Sequence, residues 1–326
     1  MYAIDKRKIA VENGRKYDLR IRGADESNPV LLYLHGGPGG TDRGVAMKYL
    51  EPLASICTLV FWDQPGVGKA FRWRDLPKKT THTVDSYIES LRDVMCWLKK
   101  RFRRDKIHVL GHSFGTKLGV AAAVTYPEHF AAYIGTAQCT NLFQEVLSYD
   151  FTMEEALKRN DRKALKVLKK IDRPVNGEYR RASDIRKQRK ICGAYGGIVH
   201  GKGIGNFEAI ALMLKEYLPF ELFIKNQIGG GRVAKALAKP FREVDLFEVA
   251  QRVEMPVYIL EGRHDYCCPF ESVEKWFAQL EAPHKELVWF ENSGHLPMIE
   301  EPERFNKTIA ERVFQHSACF FSADIL

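Results

Sequence analysis

Val30-Leu31-Leu32-Tyr33-Leu34 is apolar at every position, with Pro29 before it and His35-Gly36-Gly37-Pro38-Gly39-Gly40 after it. A strand without polar alternation has no solvent face, so it must lie inside a sheet covered on both sides. Thr58-Leu59-Val60-Phe61-Trp62, Ile107-His108-Val109-Leu110, Pro256-Val257-Tyr258-Ile259-Leu260 and Glu286-Leu287-Val288-Trp289-Phe290 read as further strands. Between them, Val84, Tyr87, Ile88, Leu91, Val94, Met95 and Leu98 recur at helical steps, and 117–126 reads as a small-residue helix ending before Pro127. Strands alternating with helices predict an α/β fold with a mainly parallel sheet flanked by helices. At the start, Lys8-Ile9-Ala10-Val11 and Tyr17-Asp18-Leu19-Arg20-Ile21 flank Asn13-Gly14, the signature of a hairpin.

The rhythm breaks in the middle of the chain. Over 141–245 strand signals vanish, basic helical patterns take over, and glycines cluster at 193–197, 201–205 and 229–231. A chain of 326 residues is long enough for one large domain carrying an insertion. The expected division is therefore a core of 1–140 and 246–326 with a helical cap, or lid, inserted at 141–245.

Composition narrows the class. With 45% hydrophobic residues and a mean hydropathy of -0.30, the chain is neither disordered nor fibrous. Its apolar runs, such as Val120-Ala121-Ala122-Ala123-Val124, fall far short of the roughly 20 residues that cross a bilayer, so no membrane association is expected. No apolar stretch follows the basic start, and seven cysteines make an odd count without a framework pattern, which predicts a reducing, cytoplasmic setting. The formal charge of +9 is concentrated in 158–190, where fourteen Lys or Arg face four Asp or Glu. No recognition motif accompanies that charge, so a solvated helical face, not nucleic acid, is the expectation. The oligomeric state is left open.

Gly111-His112-Ser113-Phe114-Gly115 joins the strand at 107–110 to the following helix. G-x-S-x-G in that context is a sharp turn that exposes a serine hydroxyl above the sheet. A free hydroxyl is a poor nucleophile at neutral pH and needs a base, itself oriented by an acid. Asp265 and His295 each follow a predicted strand, in the order Ser, Asp, His that this architecture uses. Ser113, Asp265 and His295 are therefore the candidate catalytic residues. The glycine-rich turn after Leu34 can present N–H groups to a carbonyl oxygen, and Gly37 with Phe114, the residue after the nucleophile, are the candidate oxyanion donors. Neither G-x-G-x-x-G nor a Walker-type Gly-Lys-Ser/Thr is present, so no phosphate-binding cofactor is expected. No metal is expected either, because His264, Asp265, Cys267 and Cys268 lack a second ligand pair at zinc spacing. Asp63-Gln64-Pro65-Gly66-Val67-Gly68 should shape the same end of the sheet, with Phe71 and Trp73 as candidate walls.

His35-Gly36-Gly37-Pro38-Gly39, Asp63-Gln64-Pro65-Gly66, the serine turn, Gly262-Arg263-His264-Asp265 and Ser293-Gly294-His295 together resemble the α/β-hydrolase superfamily, and within it the proline iminopeptidase-like branch. The resemblance spans about 5–140 and 246–315. It implies a metal-independent serine hydrolase whose helical cap shapes specificity, in a branch whose enzymes release an N-terminal residue from short peptides. It also implies that His35 and Gly36 border the substrate and that cap carboxylates hold its α-ammonium, with Glu208 and Glu221 as first candidates and Glu178 and Glu216 behind them. The chain departs from the branch at Pro65, His112 and Phe114, where its peptidases read Arg, Gly and Trp. A small-ester or amide hydrolase is the alternative on the same machinery. A non-catalytic module holding a small ligand is the remote one.

Overall fold

The computed structural model describes residues 4–70, 82–217 and 220–315. Eight strands form one sheet in the order β1-β2-β4-β3-β5-β6-β7-β8. These are β1 (Ile4–Glu12), β2 (Arg15–Gly23), β3 (Val30–Leu34), β4 (Thr58–Asp63), β5 (Ile107–His112), β6 (Phe130–Thr136), β7 (Val257–Gly262) and β8 (Lys285–Phe290). The first hairpin pairs antiparallel, β2 pairs antiparallel with β4, and every pairing from β4 to β8 is parallel. The hairpin turns at Asn13 (φ 48°) and Gly14 (φ 73°), both in the left-handed region that this dipeptide tolerates.

The apolar strands behave as their composition dictates. Val30, Leu32 and Leu34 of β3 enter one core, while Leu31 and Tyr33 enter the other. Helices α2 (Val84–Phe102), α3 (Phe114–Thr125) and α10 (Phe270–Gln279) cover the first face through residues such as Leu91, Leu118 and Trp276. Helices α1 (Arg43–Tyr49), α11 (Pro297–Glu300) and α12 (Pro302–Thr308) cover the second through Ala46, Met298 and Phe305. Two elements escape the sequence pattern. Strand β6, Phe-Ala-Ala-Tyr-Ile-Gly-Thr, has its strand formers interrupted by Ala131, Ala132 and Gly135 and is held by its neighbours on both sides. Helix α1 is too short to show a period.

Between β6 and β7 the described chain holds helices and no named strand: α4 (Gln144–Lys158), α5 (Arg162–Ile171), α6 (Ala182–Ala194), α7 (Asn206–Tyr217), α8 (Phe220–Glu243) and α9 (Leu246–Val249). Much of the basic segment pairs locally, as in Arg159 with Glu155 at 3.0 Å and Arg173 with Asp150 at 2.6 Å. Among the described residues no helix is long and apolar enough to cross a membrane. Phe71, Trp73 and the apolar stretch at 318–326 lie outside the described residues.

Asp63-Gln64-Pro65-Gly66-Val67-Gly68 ties α7 of this helical stretch to the sheet. Asp63 accepts from Tyr217 Oη at 2.7 Å and from the Lys69 amide at 2.8 Å, and it faces Arg43 Nη1 at 3.1 Å. A Cβ at Gly68 (φ 53°) would stand 2.1 Å from the Asp63 carboxylate, so the turn can wrap that group only with glycine there. Arg43, itself buried, also meets Asp18 at 3.1 Å and Glu216 of α7 at 2.7 Å. Arg43→Ala would strand these carboxylates, two of them fully buried, without their shared cation. It is expected to destabilise the protein by about 3–5 kcal/mol in denaturant unfolding, and a loss under 1 kcal/mol would show that the network is not structural.

Candidate active site

The end of β5 sets the site. Ser113 has φ 52° and ψ -120°, a strained conformation for a residue with a side chain, and α3 starts at the next residue. Strand and helix must nearly touch for this turn to exist. A Cβ at Gly115 would lie 2.2 Å from the Leu34 carbonyl oxygen, and one at Gly111 would lie 2.8 Å from the Gly115 carbonyl oxygen. The serine therefore stands at the N-terminus of α3, where free amides and the helix dipole favour negative charge.

Three distant segments converge here. His295 Nε2 lies 3.0 Å from Ser113 Oγ, and His295 Nδ1 lies 2.8 Å from Asp265 Oδ2. Asp265 is fully buried, and its other oxygen accepts the backbone N–H groups of Cys267 at 2.7 Å and Cys268 at 2.8 Å. Burial disfavours the charged imidazole of His295, but the Asp265 carboxylate, followed by Cys267 as thiolate, outweighs it and holds the pKa well above the ordinary histidine value. Next to Asp265, burial drives the Glu261 carboxyl well above the usual range, with the Asp265 charge adding to the effect.

Several supports carried no sequence signal. His295 N–H donates to the Ile198 carbonyl at 2.7 Å, so the loop after α6 braces the histidine. Glu300 accepts from the amides of Gly294, Leu296, His200 and Gly201, which staples that loop to the turn bearing His295. His112 Nε2 donates to the His295 carbonyl at 3.1 Å, and its Nδ1 faces Asp42 at 3.4 Å. Only the Asp-x-Cys-Cys spacing, a carboxylate followed by a turn, could have been read in advance.

Above Ser113 opens a cleft of about 740 Å³. Gly37, Pro38 and Phe114 line it beside the serine, and Cys139, Cys267 and Cys268 line it too. The sulfurs of Cys139 and Cys268 are 3.1 Å apart. The glycine-rich turn itself is anchored from behind, since His35 is buried, accepts the Gln64 amide through Nε2 at 3.2 Å and lines no part of the cleft. His35 is thus a strut for the loop. Gly36 packs on His112 and the Ser113 Cβ, and it too lies outside the cleft lining.

The candidate carboxylates fare differently. Glu208 is exposed and paired with Lys48, Glu216 serves Arg43, and Glu178 is exposed, so none of them borders the cleft. Glu221 lies outside the described side chains. Helical position explains the misplacement: α7 packs against α1 and Asp63, not over Ser113. Among the described residues the one carboxylate lining the cleft is Glu145, which Arg189 engages at 3.1 Å. His264, weighed as a metal ligand, stacks on His200 at 3.4 Å. Cys267, Cys268 and His295 do cluster, with one potential ligand atom each within 4.8 Å of the others. An ion held there would take a ring nitrogen of His295 that Asp265 or Ser113 engages.

Comparison with known proteins places the fold. Residues 29–302 match the family described as alpha/beta hydrolase fold. The chain is 28% identical over 311 residues to a probable aminopeptidase, YbaC, of Bacillus subtilis (strain 168), covering 92% of this chain and 94% of that protein. It is 27% identical to a proline iminopeptidase of Saccharolobus solfataricus, covering 91% and 87%. Among solved structures, a serine hydrolase involved in carbazole degradation superposes with a TM-score of 0.65 at 17% identity, over 94% of this chain and 98% of that one. A proline iminopeptidase-related protein from Thermus thermophilus gives 0.60 at 18%, over 94% and 98%. Sheet order, serine turn and sequence kinship agree: the chain is a hydrolase enzyme that belongs to the α/β-hydrolase fold family, in its proline iminopeptidase-like branch.

Proposed function

We propose that the protein is a serine hydrolase that cleaves a carboxylic ester or amide through an acyl-enzyme on Ser113. One observation carries this reading: His295 bridges Ser113 Oγ and Asp265 through its two ring nitrogens, at 3.0 and 2.8 Å. Ser113 Oγ attacks the substrate carbonyl while His295 Nε2 takes its proton. Asp265 holds the imidazole in the tautomer with Nδ1–H and stabilises the imidazolium as it forms. The amides of Gly37 and Phe114 receive the oxyanion, where preorganised donors are worth most. Collapse breaks the bond to the leaving group, which departs with the proton from His295. Water, deprotonated by the same histidine, then releases the acid and restores Ser113.

Two substrate readings share this machinery. The aminopeptidase reading is supported by the names of the relatives. The ester or small-amide reading is favoured by the cleft, because its one carboxylate among the described residues, Glu145, is already engaged by a guanidinium and leaves no free carboxylate to hold an α-ammonium. Turnover of proline arylamide, alanine arylamide and short-chain nitrophenyl esters is to be measured side by side. Esters are expected to be cleaved; ester turnover without arylamide turnover removes the aminopeptidase reading, and preferred arylamide turnover restores it.

A further inference from the structure

The walls of the cleft carry an unbalanced charge. Lys117, Arg186, Arg189, Lys235, Lys239 and Arg242 line it, against the single carboxylate of Glu145 among the described residues. These cations are not equally available. Lys117 Nζ is committed to the carbonyls of Phe241, Arg242 and Val244, at 3.1, 3.3 and 2.8 Å, where it caps the end of α8. Arg189 is committed to Glu145 and to the Cys267 carbonyl, at 3.1 and 2.8 Å. Four remain for a ligand. Lys239 has only a loose partner, Glu243 at 3.6 Å, and Arg242 Nε donates to the Ala238 carbonyl at 3.0 Å. Arg186 and Lys235 are exposed and have no carboxylate partner among the described residues.

Helical spacing places these groups together. On α8, Lys235, Lys239 and Arg242 follow one another at four and three residues, so they share a face. Gly231, Ala234 and Ala238 accompany them along the cleft, and their small side chains leave the volume a substrate would fill. Arg186 stands on α6, three residues before Arg189, and lines the same space. The basic segment that composition singled out is therefore not wholly a solvated face, since Arg186 and Arg189 turn into the cleft.

We propose that the cleft selects substrates bearing an anionic group, a carboxylate or phosphate remote from the scissile bond, held between Arg186 of α6 and Lys235, Lys239 and Arg242 of α8. This rests on Ser113 being the nucleophile. Low-dielectric walls of one sign focus the field into a cleft and concentrate ligands of the opposite sign. The same field repels an α-ammonium, so the selection runs against that of an aminopeptidase.

The test uses fluorophosphonates of equal length ending in a methyl, carboxylate, phosphate or trimethylammonium group. Each reacts by forming a P–O bond to Ser113 and releasing fluoride, whatever the natural substrate. At low ionic strength an anionic probe is expected to label at least about tenfold faster than the methyl probe, and the ammonium probe slower than it. The faster of the two anionic tails identifies the group. The preference should collapse in about 1 M NaCl, where the Debye length is about 3 Å. It should also collapse in the Lys235→Glu, Lys239→Glu double variant, with rates taken relative to the methyl probe so that a general loss cancels. The wild-type salt series decides alone should that variant not fold. Equal rates for all tails, or a faster ammonium probe, with Ser113 still labelled would overturn the anion selection and leave the hydrolase reading intact. No labelling by any probe would overturn the nucleophile, and the anion selection with it.

Discussion

Ser113→Ala is expected to abolish covalent labelling by fluorophosphonates and to lower turnover of any accepted ester or amide by roughly 10⁴–10⁶-fold. The loss is large because, among the described residues, no other hydroxyl shares the His295 contact at 3.0 Å. Folding should survive, since the lost oxygen makes that one hydrogen bond and alanine inherits the same backbone strain at φ 52°. Thermal unfolding read beside the activity separates the two effects. Turnover within tenfold of wild type, or undiminished labelling, would place the nucleophile elsewhere.

Asp265→Asn should have the second-largest effect and a distinct signature. Asparagine can offer an N–H to His295 Nδ1, which enforces the tautomer that cannot take the serine proton, so kcat is expected to fall about 10⁴-fold. The pH profile should move as well. As the proposed base, His295 can act only when neutral, and its raised pKa keeps it charged to higher pH than an ordinary histidine. Wild-type activity is therefore lost as pH falls through a value above the usual histidine range. Removing the Asp265 charge takes away the main force holding that proton, so the acid limb of kcat/KM should shift to lower pH. A purely structural role for Asp265 would lower activity at every pH without moving that limb.

The core was legible because its signals are local. Residues 30–34 and 58–62 announce buried strands by lacking alternation, and the chain order of the serine turn, Asp265 and His295 follows from where each strand ends. The candidate glutamates failed for a related reason. Whether a helical carboxylate faces a cleft depends on how the whole helix is rotated and docked, and Glu208 and Glu216 sit on a helix docked against α1. Glu145, which does face the cleft, carries no motif that distinguishes it from its neighbours. A histidine beside a glycine-rich turn reads the same in sequence whether it faces a cleft or, like His35, is buried behind the loop and bonded to Gln64.

Strand identity, the strained serine turn and the order of the three proposed catalytic residues were fixed by the chain itself, because each depends on residues within a few positions or on a single strand end. Tertiary packing alone decided which cations of a basic stretch turn inward, which carboxylates are consumed by neighbouring arginines, and what charge a substrate meets. Those outcomes arise from contacts across more than a hundred residues of sequence, such as Arg43 with Glu216 and Lys117 with the end of α8, and their energies exist only once the helices have docked.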